Sequence, residues 1–293
     1  MINYTGKIIV IAGPTASGKS SLAIKLAKQL GGYIINGDSR QVYKYLNIGT
    51  AKPTPQEILD NNVWVIDGIR HYLFDFVDPK EKFTLFNYQF NTSQILKREK
   101  GIPILVGGSG LYIDSVIFNY NLKKNIKRED LTTLTLTQLQ KKASKYLEHM
   151  TESDRKNRHR LIRVIERESL GKERGKTLKH IYFVIDIDKE ILKERIKERI
   201  DEMFNSGLLE ENKKLLEMGY RYSDPGLNSI GYKEFEEYFN NNQTTEQVKE
   251  SIYKNTVAYA KRQRTWFKRN RESIWTDSYE DIYELASNFI TGK

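Results

Sequence analysis

The sequence predicts an α/β fold: a parallel β-sheet with crossover helices, interrupted by a helical insertion. Three observations carry this. Short apolar, β-branched runs recur along the chain with helical patterns between them. The first run ends in a Gly-rich loop that opens onto a helix. A polar, Thr/Leu/Lys-rich stretch over 119–150 offers no strand candidate.

Residues 7–12 (KIIVIA) are apolar without alternation, as a strand buried on both faces requires. Residues 13–18 form a loop. From Ser20 to Leu30, the side chains of Leu22, Leu26, Ala27 and Leu30 share one helical face, and Gly31-Gly32 stops the helix. Residues 33–36 (YIIN), 102–106 (IPILV) and 181–187 (IYFVIDI) are the other strands expected. From Lys189 onward the pattern is helical, with breaks at Gly207, Gly219 and Pro225-Gly226. Residues 1–118 and 179–293 are therefore expected to form the core, and 119–178 a helical insertion.

With 39% hydrophobic and 29% charged residues, the 293-residue chain is expected to be a soluble globular protein, too apolar to be disordered. The absence of Cys excludes disulfides, thiolate zinc sites and cysteine nucleophiles, and four His leave little for a His-rich metal site. No apolar run approaches the ~20 residues of a membrane span, and 8–12 is too short for a secretory segment. A cytoplasmic monomer without a membrane partner is expected. The formal charge is +10, and it is uneven. Lys254–Arg271 holds seven bases and no acid; 155–179 holds ten bases and three acids. Two basic tracts on a mildly acidic body suggest a polyanion site, although solvated helix faces share this composition.

Gly13-Pro14-Thr15-Ala16-Ser17-Gly18-Lys19-Ser20 matches G-x-x-x-x-G-K-[ST] completely, between a strand and a helix. This makes the core P-loop NTPase-like. Glycines let the backbone wrap a phosphate, and loop amides and the helix N-terminus face the anion. Lys19 adds positive charge, and the Ser20 hydroxyl is placed to hold Mg²⁺. The motif specifies a diphosphate or triphosphate and does not choose between them.

Ligands of an open α/β sheet bind at the carboxyl ends of its strands. Loops 13–18, 37–41 and 107–110 should meet there. Asp38 follows a strand directly; it could hold Mg²⁺ through water, act as a base, or cap a helix. The 107–110 loop lacks the acid that a P-loop ATPase uses at that strand end, which argues against ATP hydrolysis.

GPTASGKS (13–20), NGDSRQVYKYLNIGTAKP (36–53), HYLFD (71–75), GGSGLY (107–112), HRLIR (159–163), IGYKE (230–234) and YAKRQRTWF (259–267) occur in this order. Their order resembles that of tRNA dimethylallyltransferases, from residue 7 to about 269. The resemblance implies transfer of a dimethylallyl group from dimethylallyl diphosphate to N6 of the adenosine next to the anticodon, with tRNA gripped by the insertion. Residues 13–20 would then hold the leaving diphosphate and Ser20 the Mg²⁺. The resemblance implies Asp38 as proton acceptor, with Ser109 beside it and Arg199 on the diphosphate, Arg195 being the competing candidate. It places Asp38, Ser39, Arg40 and Gln41 around the adenine, and His159, Arg160, Leu161, Ile162 and Arg163 on the tRNA. Helical spacing puts Arg160, Arg163 and Arg167 on one face, with Leu161, Val164 and Ile165 inward. His71 could be a pocket ligand or a satisfied structural histidine, the latter being favoured, and Trp64, Trp266 and Trp275 are expected in the core rather than as stacking platforms. Three departures stand out: Ser109 replaces the usual Thr, Val257 replaces an Arg, and residues 112–154 are shorter than the family insertion. A small-molecule kinase, a prenyltransferase acting on free adenine nucleotides, and a non-catalytic RNA-binding module are the competing readings.

Overall fold

A computed structural model describes residues 1–122, 131–167 and 174–293. The expectations for 123–130, for 168–173 (part of the second basic tract) and for the Arg167 side chain lie outside the described residues. The chain forms two compact units. One comprises Ile2–Ile117 with Thr177–Lys293, the other Phe118–Lys176 with Met1.

The first unit begins with β1 (Ile8–Ala12), α1 (Lys19–Leu30), β2 (Gly32–Asn36), β3 (Glu57–Leu59), β4 (Val63–Ile66), β5 (Ile69–Tyr72), α2 (Leu85–Arg98), β6 (Ile102–Gly107) and α3 (Gly110–Ile117). The second unit contributes α4 (Leu136–Lys142), α5 (Ser144–Leu147), α6 (Glu152–Arg155) and α7 (Arg158–Arg167). The first unit then resumes with β7 (His180–Ile185), α8 (Lys189–Asn205), α9 (Leu208–Glu217), α10 (Glu236–Phe239), α11 (Thr245–Phe267), β8 (Ile274–Thr276) and α12 (Tyr279–Thr291).

Among the described residues the sheet order is β3-β4-β5-β2-β6-β1-β7-β8. β5 through β8 are mutually parallel, while β3 and β4 form an antiparallel edge hairpin. With the phosphate loop joining β1 to α1, this is a P-loop NTPase-like core. The four strands expected from sequence correspond to β1, β2, β6 and β7, although β7 stops at Ile185. β3, β4, β5 and β8 were not expected.

Side-chain alternation divides the core. Ile9, Ile11, Ile34, Ile104, Val106, Phe183 and Ile185 face Ala23, Leu26 and Ala27 of α1 and Ile282 and Ala286 of α12. Tyr182 points the other way, its ring 6.5 Å from Phe267 of α11. The sheet is thus covered on both sides, as a largely parallel sheet requires. Asp188 starts α8 by accepting from Glu190 N and Ile191 N, and a Thr244–Gln247 capping box starts α11. These two helices pack through Ile196, Ile200, Val248, Ile252 and Ala260. The second unit has its own small core, with Leu131, Leu139, Ala143, Met150, Leu161 and Val164 buried.

Candidate active site

The site assembles where β1, β2 and β6 end. Gly18 sits at φ +82 with open space around it, so its backbone conformation is what requires glycine. At Gly13 the constraint is space: a Cβ would meet Ser17 Oγ at 2.9 Å and Ile185 Cβ at 3.2 Å. Lys19 Nζ donates to Pro14 O at 3.1 Å, which folds the ammonium back over the loop. Burial draws its pKa down to about 8; Asp38 opposes this and Arg199 reinforces it. Ser17 Oγ is buried with no hydrogen-bond partner among the described residues. A buried hydroxyl of this kind suits a phosphate oxygen.

Asp38 is held by its neighbours. Asn36 Oδ1 accepts from Asp38 N at 2.8 Å, and Asn36 Nδ2 donates to Leu73 O at 2.9 Å. Asp38 Oδ1 accepts from Arg40 N at 2.8 Å, forming a local turn; no helix follows, so helix capping is not its role. Loop 37–41 is joined to loop 107–110. Ser39 N donates to Ser109 Oγ at 2.9 Å, and Ser109 N donates to Gly37 O at 3.1 Å. A Cβ on Gly107 would fall 2.2 Å from Gly37 C, so this crossing admits only glycine. Ser109 Oγ also lies 3.1 Å from Ser39 Oγ. The Tyr259 hydroxyl engages Ser109, and burial, with Asp38 nearby, raises its pKa to about 12.

Two cationic or polar residues reach the loop from distant helices. Arg199 Nη1 donates to Thr15 Oγ1 at 3.2 Å, and burial lowers its pKa despite Asp38 and Glu202. Arg195, one turn earlier, is exposed. Gln263, 4% exposed, accepts from Thr15 N at 3.0 Å and donates to Gly108 O at 2.9 Å, bridging two of the three loops. Sequence reasoning missed Gln263 and Tyr259; their membership of YAKRQRTWF was the available signal. Arg40 Nη1 donates to Pro225 O at 2.9 Å, and Gln41 Nε2 spans Thr50 O and Ala51 O at 3.1 Å each.

Asp38 lines a cavity of about 350 Å³, with Ile196, Ile200, Met203, Tyr259 and Arg262 among its walls. It also lines a smaller one of about 140 Å³, walled by Lys19, Ser20, Ile24, Phe74 and Val106. They share Thr15, Asp38, Thr50 and Arg199. Among the described residues no cluster of three or more His, Asp or Glu could cage a metal. Mg²⁺ does not need one. It keeps several waters and takes one or two protein oxygens plus substrate phosphates, which the exposed Ser20 hydroxyl and the Asp38 carboxylate on the smaller cavity fit.

The remaining expected residues are placed as follows. His159, Arg160 and Arg163 are exposed on α7, in the second unit, and Arg160 is ion-paired with Asp154. Leu161 requires correction as a tRNA contact. Its side chain is fully buried in that unit's core, and Ile162 packs partly against the same core. His71 is buried, with Nδ1 2.8 Å from Ile69 O, on the wall of the smaller cavity. Trp64 stacks on Phe74, Trp266 Nε1 donates to Asp114, and the Arg264 guanidinium lies over Trp275. Val257 packs against the apolar cluster of α8 and α11, so no cation is supplied from that position.

Fold and site together define a phosphate-loop protein whose anion cradle faces a carboxylate that lines two cavities. The IPP transferase family profile matches residues 41–270. The chain is 38% identical to a tRNA dimethylallyltransferase of Carboxydothermus hydrogenoformans, covering 97% of this chain and 96% of that one. It is 36% identical to the tRNA dimethylallyltransferase of Clostridioides difficile at the same coverage. Among solved structures, the full-length tRNA isopentenylpyrophosphate transferase of Bacillus halodurans superposes with TM-score 0.74 and 32% identity over 98% of both chains. A eukaryotic dimethylallyltransferase acting on tRNA gives TM-score 0.80 and 26% identity, over 99% of this chain and 80% of that one. The chain belongs to the IPP transferase family.

Proposed function

We propose that the protein transfers a dimethylallyl group from dimethylallyl diphosphate to N6 of the adenosine next to the anticodon of tRNA, releasing diphosphate. The observation that carries this reading is the meeting of two cavities at Asp38, with Lys19 and Arg199 beside it. The relatives named for tRNA dimethylallyl or isopentenyl transfer support it.

In this reading the smaller cavity takes the donor. The phosphate-loop amides, Lys19, Ser17 and Arg199 bind the diphosphate, and Ile24, Phe74 and Val106 offer an apolar wall to the C5 chain. The allylic C–O bond breaks with positive charge growing on carbon and negative charge on the leaving oxygens, which the two cations stabilise where charge develops. Mg²⁺, held by Ser20 and water-mediated contact to Asp38, would supply further charge neutralisation to the diphosphate. The larger cavity takes the adenine, extruded from its stack. Its walls orient N6 towards the allylic carbon, and Asp38 accepts the proton that N6 sheds as the C–N bond forms. Arg160, Arg163 and the 261–271 tract contact tRNA phosphates, which position the RNA without reading it.

Among the described residues no helix is long and apolar enough to cross a membrane. We take the protein to act as a monomer in the cytoplasm. The test is incubation with dimethylallyl diphosphate, Mg²⁺ and unmodified tRNA, followed by mass spectrometry of the nucleosides. Prenylated adenosine in the tRNA digest is expected. Prenylation of AMP or ATP in preference to tRNA, or consumption of ATP alone, would overturn the reading.

A further inference from the structure

Two strings of the sequence, NIGTAKP (47–53) and IGYKE (230–234), carry none of the chemistry above, yet both border the larger cavity. Gly49 and Thr50 form one part of its wall, and Ser229, Ile230, Gly231 and Lys233 another. A single carboxylate ties them together. Glu211, on the first turn of α9, accepts from Asn47 N at 3.0 Å, Ile48 N at 2.9 Å and Gly49 N at 3.2 Å. Three consecutive amides converging on one anion form a backbone nest. The Tyr232 hydroxyl donates to the same carboxylate at 2.6 Å.

The two loops also touch through glycines. A Cβ on Gly49 would lie 2.6 Å from the fully buried Tyr232 ring. Gly231, at φ +91, would bring a Cβ to 3.1 Å from Gly49 O. Burial and Glu211 push the Tyr232 pKa up, so the phenol stays protonated and remains a donor. Neither Glu211 nor Tyr232 is among the residues lining the larger cavity. They reach it through the backbone they hold.

We propose that Glu211 and Tyr232 are positioning residues: their contact clamps loop 47–50 against loop 229–233 and fixes the width of the cavity that receives the acceptor base. The assignment of that cavity to the acceptor rests on the proposed function; the clamp itself does not.

Tyr232→Phe and Glu211→Gln both preserve side-chain volume. A hydrogen bond to a charged group, if lost, is expected to raise KM for tRNA about tenfold in each variant. The kcat and the KM for dimethylallyl diphosphate should stay within about twofold of wild type, as for a residue acting on acceptor binding alone. Amide hydrogen exchange at Asn47–Gly49 should speed up by about tenfold in both variants, since Glu211→Gln replaces the charged acceptor by a neutral one and Tyr232→Phe removes the phenol that holds the carboxylate in place. Unchanged exchange at these amides would overturn the clamp. Faster exchange with both KM values rising alike, or with kcat alone falling, would overturn its role at the acceptor cavity. A wild-type protein that modifies no tRNA would overturn the proposed function instead, and the exchange measurement would still decide the clamp.

Discussion

Raising the pH tests whether Lys19 holds the diphosphate. Burial in the phosphate loop draws its ammonium down to about 8, with Asp38 opposing the shift and Arg199 adding to it. An exposed lysine would keep its proton to about 10.4. In the free enzyme, kcat/KM for dimethylallyl diphosphate should follow the protonated fraction of Lys19. One unit above its pKa, at pH ~9, about a tenth of the molecules carry the charge, so kcat/KM should fall about tenfold. An unshifted lysine would lose only about 4% there. The donor does not contribute to this limb, because the last phosphate ionisation lies near ~6. Bound diphosphate stabilises the ammonium and raises its pKa, so kcat at saturating donor should decline much less. Initial rates at fixed tRNA from pH 7 to ~9.5, with donor varied, give both parameters. Lys19→Arg, always charged, should abolish the limb whatever its absolute rate. A kcat/KM flat to pH ~9.5, or the same limb in the arginine variant, would refute the reasoning.

Asp38→Ala should lower turnover by ~10²-fold or more while the protein still folds cooperatively, measured by single-turnover transfer and thermal denaturation. Arg160→Ala and Arg163→Ala should each weaken tRNA binding and reduce its salt slope by about one, read from filter binding at several salt concentrations. The Arg160–Asp154 pair, with Arg160 mostly exposed, should contribute little to stability. Gln263→Leu leaves Thr15 N and Gly108 O without their partner, which should cost about 1–3 kcal/mol in urea denaturation and raise KM for the donor more than KM for tRNA.

The phosphate loop and the four central strands were legible because their signals are local. β1, β2, β6 and β7 are continuous apolar runs, and Gly13–Ser20 is a contiguous string. β5 and β8 escaped notice because Ile69–Tyr72 and Ile274–Thr276 are too short for a pattern, and their identity comes from pairing with β2 and β7. The β3–β4 edge was hidden for the same reason. Within the site, Asp38 followed from a strand end and Ser109 from the resemblance carried by GGSGLY, while Gln263 meets Thr15 across 248 positions of sequence, a distance no local spacing bridges. Leu161 shows the converse. It lies inside a string that resembles a contact segment, and helical periodicity, which turns it inward, decided its place.

The chain leaves the sheet and returns to it at one doorway. α3 ends at Ile117, and Leu178 N donates to Ile117 O at 2.9 Å, two residues before β7 opens. Whatever is spliced between these neighbours leaves the register of β1, β6 and β7 untouched, since both hinges are pinned by the parent. The helical unit between them can thus be shortened, extended or exchanged as a cartridge without rebuilding the sheet or the loops at its carboxyl edge.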